Sequence, residues 1–249
     1  MTETNALLKA PYVSVVVPVR NEAGNIAPLV EEIARALSPV TTFEIVYVND
    51  GSTDGTSDEL QRLKLVHPWL RQIVHQESCG QSAAVRSGVR AAQGQVIITL
   101  DGDGQNDPSF MPAFLKALDG AGAACGLVQG QRVGRKDTGF KKFQSRVANK
   151  VRNAVLKDGT RDTGCGFKCF PRDVYLAMPY FDALHRFMPA LIRREGLMIA
   201  YVDVIDRPRF TGVSNYGFFD RLWVGMVDLI GVRWLIQRRR RVPMTREIV

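Results

Sequence analysis

Cysteine is scarce in this chain, with four in 249 residues. Cys79, Cys125, Cys165 and Cys169 contain no Cys-x-x-Cys pair, and Cys165 and Cys169 stand four apart with no histidine beside them. This excludes a disulfide-stapled miniprotein and argues against a zinc site. The expected state is reduced thiols in a cytosolic protein. No run of 18 uninterrupted apolar residues occurs, so no ordinary transmembrane helix is expected. The first eleven residues lack an apolar core of signal-peptide length, so no secretion signal is expected. No internal repeat is present, and the only low-complexity stretch is the arginine run at 238–241. There is no G-x-x-x-x-G-K-[ST], and no G-x-G-x-x-G follows the first strand, so a glycine-rich phosphate loop is not expected.

What is present suits a folded α/β protein. Hydrophobic residues make up 45% and charged residues 23%, which is ordinary globular composition and excludes a disordered chain. Net charge is +8 but unevenly placed. Residues 1–131 hold 9 basic and 14 acidic side chains, net −5; residues 132–249 hold 24 and 11, net +13. A basic C-terminal half points to an anionic ligand or surface.

The apolar pattern alternates between two periods. Strands are expected at 12–19, 43–48, 70–74, 96–100 and 124–130, and helices at 25–37, 54–66, 83–92 and 108–118. Strands apolar on both faces and separated by helices imply a parallel sheet covered on both sides. Ligands of such sheets bind beyond the carboxyl ends of the strands, which directs attention to the loops after Val17, Val48 and Leu100. The alternation stops near residue 131. Residues 139–156 read as an amphipathic helix with Phe140, Phe143, Val147, Val151 and Val155 on one face and Lys141, Lys142, Arg146, Lys150 and Arg152 around it. The segment 222–236 is apolar but interrupted by Asp228 and Arg233.

Three loops carry the chemistry. Asp101-Gly102-Asp103-Gly104-Gln105 directly follows a strand, so two carboxylates two apart can reach one hard divalent cation, with Gly102 leaving room for a ligand. Asp101 and Asp103 are therefore candidate ligands for Mg²⁺ or Mn²⁺. In the second loop, 48–56, Ser52 or Asp54 can cap the next helix, while Asp50 has no such duty and could accept from a base N–H or a ribose hydroxyl. The third loop is Pro18-Val19-Arg20-Asn21-Glu22. Three acidic loops at successive strand ends describe a site for a metal-bound nucleotide, with the diphosphate held by metal and basic side chains.

The motifs PVRNE, VNDGSTDGT and DGDGQNDP, in this order, resemble family 2 glycosyltransferases of the GT-A fold. GQRVG (130–134), SRVANKV (145–151), DTGCGFKCF (162–170) and RFTGVSNYG (209–217) resemble the dolichol-phosphate mannose synthase and polyprenyl-phosphate hexosyltransferase group. The resemblance spans about 12–217. It implies a mostly parallel central sheet flanked by helices, a GT-A catalytic domain over 1–206, and a C-terminal membrane-associating helical segment over 207–249. It implies inverting transfer of a hexose or hexuronic acid from a UDP- or GDP-sugar to a polyprenyl monophosphate, in the service of cell-envelope glycan or lipopolysaccharide modification.

By resemblance, Pro18, Arg20, Glu22, Val48, Asp50, Asp101, Gly102, Asp103, Arg132, Arg209 and Asn215 fall on nucleotide-sugar positions. Asp101, Asp103 and Gln105 fall on metal positions, and Asp103 and Arg132 carry the catalysis. Lys141, Ser145 and Arg146 fall on the acceptor-phosphate positions. Arg20 replaces a common aromatic residue and Asn215 a common lysine, so neither guanine nor mannose follows from the resemblance; Lys141 stands where arginine is common.

A phosphate acceptor fits the residues. A lipid monophosphate is already anionic, with a second pKa near 6, so it requires cations around it and no general base. The alternative is a family 2 enzyme acting on a sugar hydroxyl, for which Asp162 is the candidate base. A nucleic-acid-binding module is disfavoured because the acidic strand-end loops would repel a phosphate backbone, and a silent membrane-binding relative because DGDGQ is intact. The tail predicts a peripheral or monotopic protein on the cytoplasmic face of the plasma membrane. Trp223 and Trp234, eleven apart, share a helix face, and the arginines at 238–241 favour anionic headgroups. A helix packed on the body is the competing expectation.

Overall fold

A computed structural model of the chain describes residues 10–133, 152–160, 162–208 and 219–238, with side chains of the last segment from 225. Strand β1 (Val13–Val19) leads to helix α1 (Ala23–Leu37), β2 (Phe43–Asp50) to α2 (Thr56–Lys64), and β3 (Leu70–His75) to α3 (Gln81–Ala91). β4 (Val96–Thr99) is followed by a 3₁₀ turn (Pro108–Phe110), α4 (Met111–Ala121) and β5 (Cys125–Arg132). These match the expected alternation to within a few residues. Beyond them, 152–156 is helical (α5), followed by β6 (Lys168–Pro171), α6 (Arg172–Ala177), α7 (Leu184–Arg194), β7 (Met198–Val204) and α8 (Phe219–Arg238). β6, α6, α7 and β7 were not expected from the sequence.

The seven strands form one sheet in the order β3-β2-β1-β4-β6-β5-β7. β1 runs parallel to β2 and β4, and β2 parallel to β3. β6 is antiparallel to both β4 and β5, and β5 is parallel to β7. Two reversals cancel, so β5 and β7 point the same way as β4. The carboxyl ends of β1, β2, β4, β5 and β7 and the start of β6 therefore share one edge of the sheet.

Alternate residues of each strand enter opposite layers, because side chains along a strand point to opposite faces. Val13, Val15 and Val17 of β1 join Ile26, Leu29 and Ile33 of α1 and Phe114 of α4 in one fully buried cluster. Val16 joins Val46, Val48 and Ile97 beneath Ala84 and Val89 of α3 and Leu191 of α7. Gly88 lets α3 approach closely, since a Cβ there would lie 2.4 Å from Val16 Cγ1.

α8 divides into two faces. Val232 is buried, with Leu229, Leu235 and Ile236 partly buried against the α7 layer. Arg194 Nε donates to the Leu235 carbonyl at 3.1 Å, and Arg233 donates to the Val155 carbonyl at 2.8 Å. On the other face Met226, Val227, Ile230 and Trp234 are exposed, Ile230 at 70%. Among the described residues no helix is long and apolar enough to cross a membrane.

Candidate active site

The loops after β1 and β2 are laced into one surface. Asn21, at φ 57°, donates its N–H to Ser52 Oγ at 3.0 Å and accepts from the Thr53 N–H at 2.8 Å. The Glu22 N–H donates to Thr56 Oγ1 at 3.0 Å, and the Glu22 carboxylate accepts from the Asn25 side chain. The N-cap of α2 is Gly55, with no side-chain cap, and not Asp54 or Ser52; Asp54, one residue earlier, accepts the Thr56 N–H and also the Ala23 N–H at the start of α1. Arg20 is exposed and Pro18 half-buried at this rim. The Val48 side chain is wholly buried under α3, so it belongs to the core, and only its backbone is left to meet a nucleotide.

Asp50 proves more occupied than the sequence suggested. Its Oδ1 accepts from His75 Nδ1 at 2.7 Å and the Cys79 N–H at 2.8 Å. Its Oδ2 accepts from Ser78 Oγ at 2.8 Å and the Gly80 N–H at 2.9 Å. Burial alone would raise its proton affinity, but these four donors hold the carboxyl below the ordinary range. Asp50, His75 and Cys79 bring their ligand atoms within 4.8 Å of one another. The Asp50 carboxylate in that group is already satisfied by hydrogen bonds, so the acidic loop after β4 is the better cation site.

In that loop the Asp101 N–H donates to Asn106 Oδ1 at 3.0 Å, and Asp103 Oδ1 accepts the Gln105 N–H at 3.1 Å. Asp101 is enclosed: Gln81 Nε2 donates to its Oδ1 at 2.8 Å, and a Cβ on Gly166 would lie 2.4 Å from the same oxygen. Burial and the neighbouring Asp103 push the Asp101 carboxyl up to about 6, while Lys168 and Arg132 act against this rise. A divalent cation between two carboxylates that repel each other would relieve that repulsion, so the donor set fits Mg²⁺ or Mn²⁺. At Gly102 a Cβ would lie 2.2 Å from Val19 Cγ1, so the loop packs directly on the end of β1 there.

Arg132, at the end of β5, is held by two carboxylates. Its Nε and Nη2 donate to the two oxygens of Asp162 at 2.6 and 2.8 Å, and its Nη1 to Asp206 at 3.5 Å. Asp206 also accepts from Asn106, at 3.4 Å. The Arg207 N–H donates to the Gln105 carbonyl at 2.9 Å, while its guanidinium pairs with Glu32. The segment after β7 therefore clips the loop after β4. Arg152, counted as a basic residue of the 139–156 helix, is paired with the fully buried Asp158 and stacks over Phe187 at 5.7 Å.

Lys141, Lys142, Ser145, Arg146, Arg209, Asn215 and the arginines 239–241 lie outside the described residues. Sequence reasoning missed Gln81, Lys168 and Asp206. Lys168 is 2% exposed beneath Asp101, pairs across the sheet with Thr99 and donates to the Cys165 carbonyl; burial lowers its proton affinity. A lysine inside the apolar run GFKCF was the signal available for it.

A mostly parallel sheet with its acidic loops gathered at one edge defines a GT-A-like α/β transferase. The solved structure of glucosyl-3-phosphoglycerate synthase from Mycobacterium tuberculosis, in complex with Mn²⁺, UDP and phosphoglyceric acid, shares this fold. Its TM-score is 0.68 at 18% identity, over 94% of this chain and 80% of that one. Residues 14–177 match Glycosyl transferase family 2, and the chain belongs to that family. It is a glycosyltransferase. It is 32% identical over 243 residues to the dodecaprenyl-phosphate galacturonate synthase of Rhizobium johnstonii, covering 96% of this chain and 71% of the relative. It is 29% identical over 220 residues to the undecaprenyl-phosphate 4-deoxy-4-formamido-L-arabinose transferase of Serratia proteamaculans, covering 88% of this chain and 66% of that protein.

Proposed function

We propose that this enzyme transfers a hexose or hexuronic acid from a UDP- or GDP-sugar to a polyprenyl monophosphate with inversion at the anomeric carbon. One observation carries the reading. The family match ends at residue 177, yet likeness to a protein named as a polyprenyl-phosphate sugar synthase runs over 96% of the chain. The likeness therefore extends past the donor half into the basic half, where the acceptor chemistry is expected.

In this reading Asp101, Asp103 and Gln105 would hold Mg²⁺ or Mn²⁺, and the ion would supply positive charge for the diphosphate. Pro18, Arg20, Glu22 and the Val48 backbone border the nucleotide, and Arg209 and Asn215 complete the donor side. Arg132, held in place by Asp162 and Asp206, offers its remaining guanidinium N–H groups to the leaving group at the sheet edge. Lys141, Ser145 and Arg146 receive the acceptor phosphate, whose oxygen attacks the sugar directly. The nucleophile is already an anion, so no side chain has to remove its proton. A hydroxyl acceptor fits less well. Its candidate base, Asp162, has both oxygens engaged by Arg132, and would have to release that partner before taking a proton.

The catalytic unit is assigned to 1–206 and the membrane-associating segment to 207–249. The exposed ridge of Met226, Val227, Ile230 and Trp234 lies opposite the docked face of α8. With the arginines at 238–241 it suits an anionic bilayer surface, and seats the enzyme peripherally on the cytoplasmic leaflet. The test is a panel of UDP- and GDP-sugars with undecaprenyl phosphate and Mg²⁺ or Mn²⁺, with the lipid product read by mass spectrometry. A glycosylated lipid phosphate from one donor supports the reading. Transfer only to a sugar hydroxyl overturns it.

A further inference from the structure

The first turns of α3 and α7 meet beside the loop after β4. Ser82 of α3 and His185 of α7 bring Oγ and Nδ1 to 2.7 Å. Ser82 is buried, and its hydroxyl has no other partner among the described residues. A buried hydroxyl proton needs an acceptor, so it goes to Nδ1, and the ring hydrogen of a neutral imidazole then sits on Nε2. Nε2 itself makes no hydrogen bond among the described residues. It is a donor with its capacity unspent. His185 lines a partly open notch shared with Pro18, Gln81 and Asp101. The notch has a volume of about 10 Å³, room for one oxygen-centred group. Gln81 donates its amide N–H to Asp101 Oδ1 and keeps its carbonyl oxygen as an acceptor. Val85 and Met188 make the opposite wall apolar.

A donor and an acceptor around a space of that size suit a hydroxyl, which both accepts and donates. A phosphate or carboxylate oxygen could only accept, and would bring a second negative charge against Asp101. Pro18 and Asp101 lie on the donor side of the site, so the hydroxyl comes from the nucleotide sugar. α7 belongs to the basic half of the chain, where the acceptor is expected. The part of the donor between its diphosphate and the acceptor is the transferred sugar. We propose that His185 Nε2 donates to one hydroxyl of the transferred sugar, and so helps to decide which sugar is accepted. Ser82 is its positioning residue, fixing the ring and its tautomer. A sugar without a hydroxyl at that place leaves Nε2–H and the Gln81 carbonyl unpaired beside an apolar wall, which costs affinity. The proposal rests on the nucleotide-sugar reading above and is independent of the acceptor.

The test is calorimetric binding by the full chain, at saturating Mn²⁺, of UDP, GDP and the UDP- and GDP-linked hexoses and hexuronic acids of the panel above. Each sugar nucleotide is read relative to its bare diphosphate, which carries the ribose hydroxyls and lacks the sugar. Two substitutions separate the two ends of the ring. An asparagine amide reaches about as far as Nδ1, so His185→Asn keeps the contact with Ser82 and loses the Nε2 donor. A glutamine amide reaches about as far as Nε2, so His185→Gln keeps the sugar contact and loses Ser82. For the sugar nucleotide that wild type binds most tightly, relative affinity is expected to fall about tenfold in His185→Asn, the scale of one hydrogen bond. In His185→Gln it is expected to fall by less than about threefold. Affinity for bare UDP and GDP is expected to stay unchanged in both. His185→Met, which has the reach of glutamine without a donor, keeps the test open should His185→Asn fail to fold, and is expected to behave as His185→Asn. Unchanged relative affinity in His185→Asn or His185→Met overturns the proposal, as does an equal fall in His185→Gln. So does an equal loss for the bare diphosphate, which would put the contact on the ribose or in the packing of α3 against α7. The expected pattern together with transfer only to a sugar hydroxyl supports this proposal while the acceptor reading fails. Wild type that binds none of the sugar nucleotides overturns both.

Discussion

Replacing His185 with glutamine should remove a stability loss that the native chain suffers between pH 7 and pH 5. His185 sits at the start of α7, with Nδ1 2.7 Å from Ser82 Oγ on α3. Burial, with Lys168 and Arg186 adding to it, pushes its pKa down to about 3. In the unfolded chain the imidazole titrates near 6.5. Below that value the unfolded state binds a proton that the folded state refuses, so stability falls as pH drops from 6.5 toward 3. Integrated from pH 7 to pH 5, the single proton costs about 2 kcal/mol. For a chain of this size that is roughly 4–8 °C of melting temperature. Calorimetric melts of wild type and His185→Gln at pH 7, 6 and 5 read the difference. The variant should lose about 2 kcal/mol less than wild type over this interval. Parallel curves would refute the reasoning, as would a His185 ring proton that titrates near pH 6.5 in the folded protein.

Three further outcomes follow from the geometry. Gly166→Ala places a methyl 2.4 Å from Asp101 Oδ1, so it should abolish EDTA-sensitive transfer while circular dichroism stays native. Arg132→Ala removes the guanidinium from Asp162 and Asp206 and should destabilise the fold by about 1–2 kcal/mol in urea titration, as expected for breaking a part-buried ion pair. Ile230→Ser with Trp234→Ser alters only the exposed ridge of α8; it should weaken co-sedimentation with anionic vesicles and raise the KM for polyprenyl phosphate, leaving nucleotide affinity as it was.

The first five strands and four helices were legible because their signals are local. Val13 to Val19 is β-branched and buried on both faces, and Ile26, Leu29, Val30, Ile33 and Leu37 mark α1 at helical spacing. β6 left no such trace. It is four residues long, begins with a buried lysine, and enters the sheet antiparallel between strands distant in the sequence. α7 was obscured by Pro189 inside it, and β7 by its half-buried, mixed composition. In the site, Asp101 and Asp103 were legible because carboxylates end a buried strand. The tasks of Gln81, Asp206 and Asp50 were not, because their partners lie 20, 100 and 25–30 residues away. The close packing of Gly102 on Val19 left no trace either, because Val19 lies 83 residues earlier in the chain.

The most direct test of the account compares undecaprenyl phosphate with undecaprenol as acceptor, with one active α-linked nucleotide sugar, in the presence of Mn²⁺ and again in excess EDTA. The account predicts a β-linked glycosyl phospholipid from the phosphate alone, and none once the metal is removed. Equal use of undecaprenol, an α-linked product, or full transfer in EDTA would contradict it.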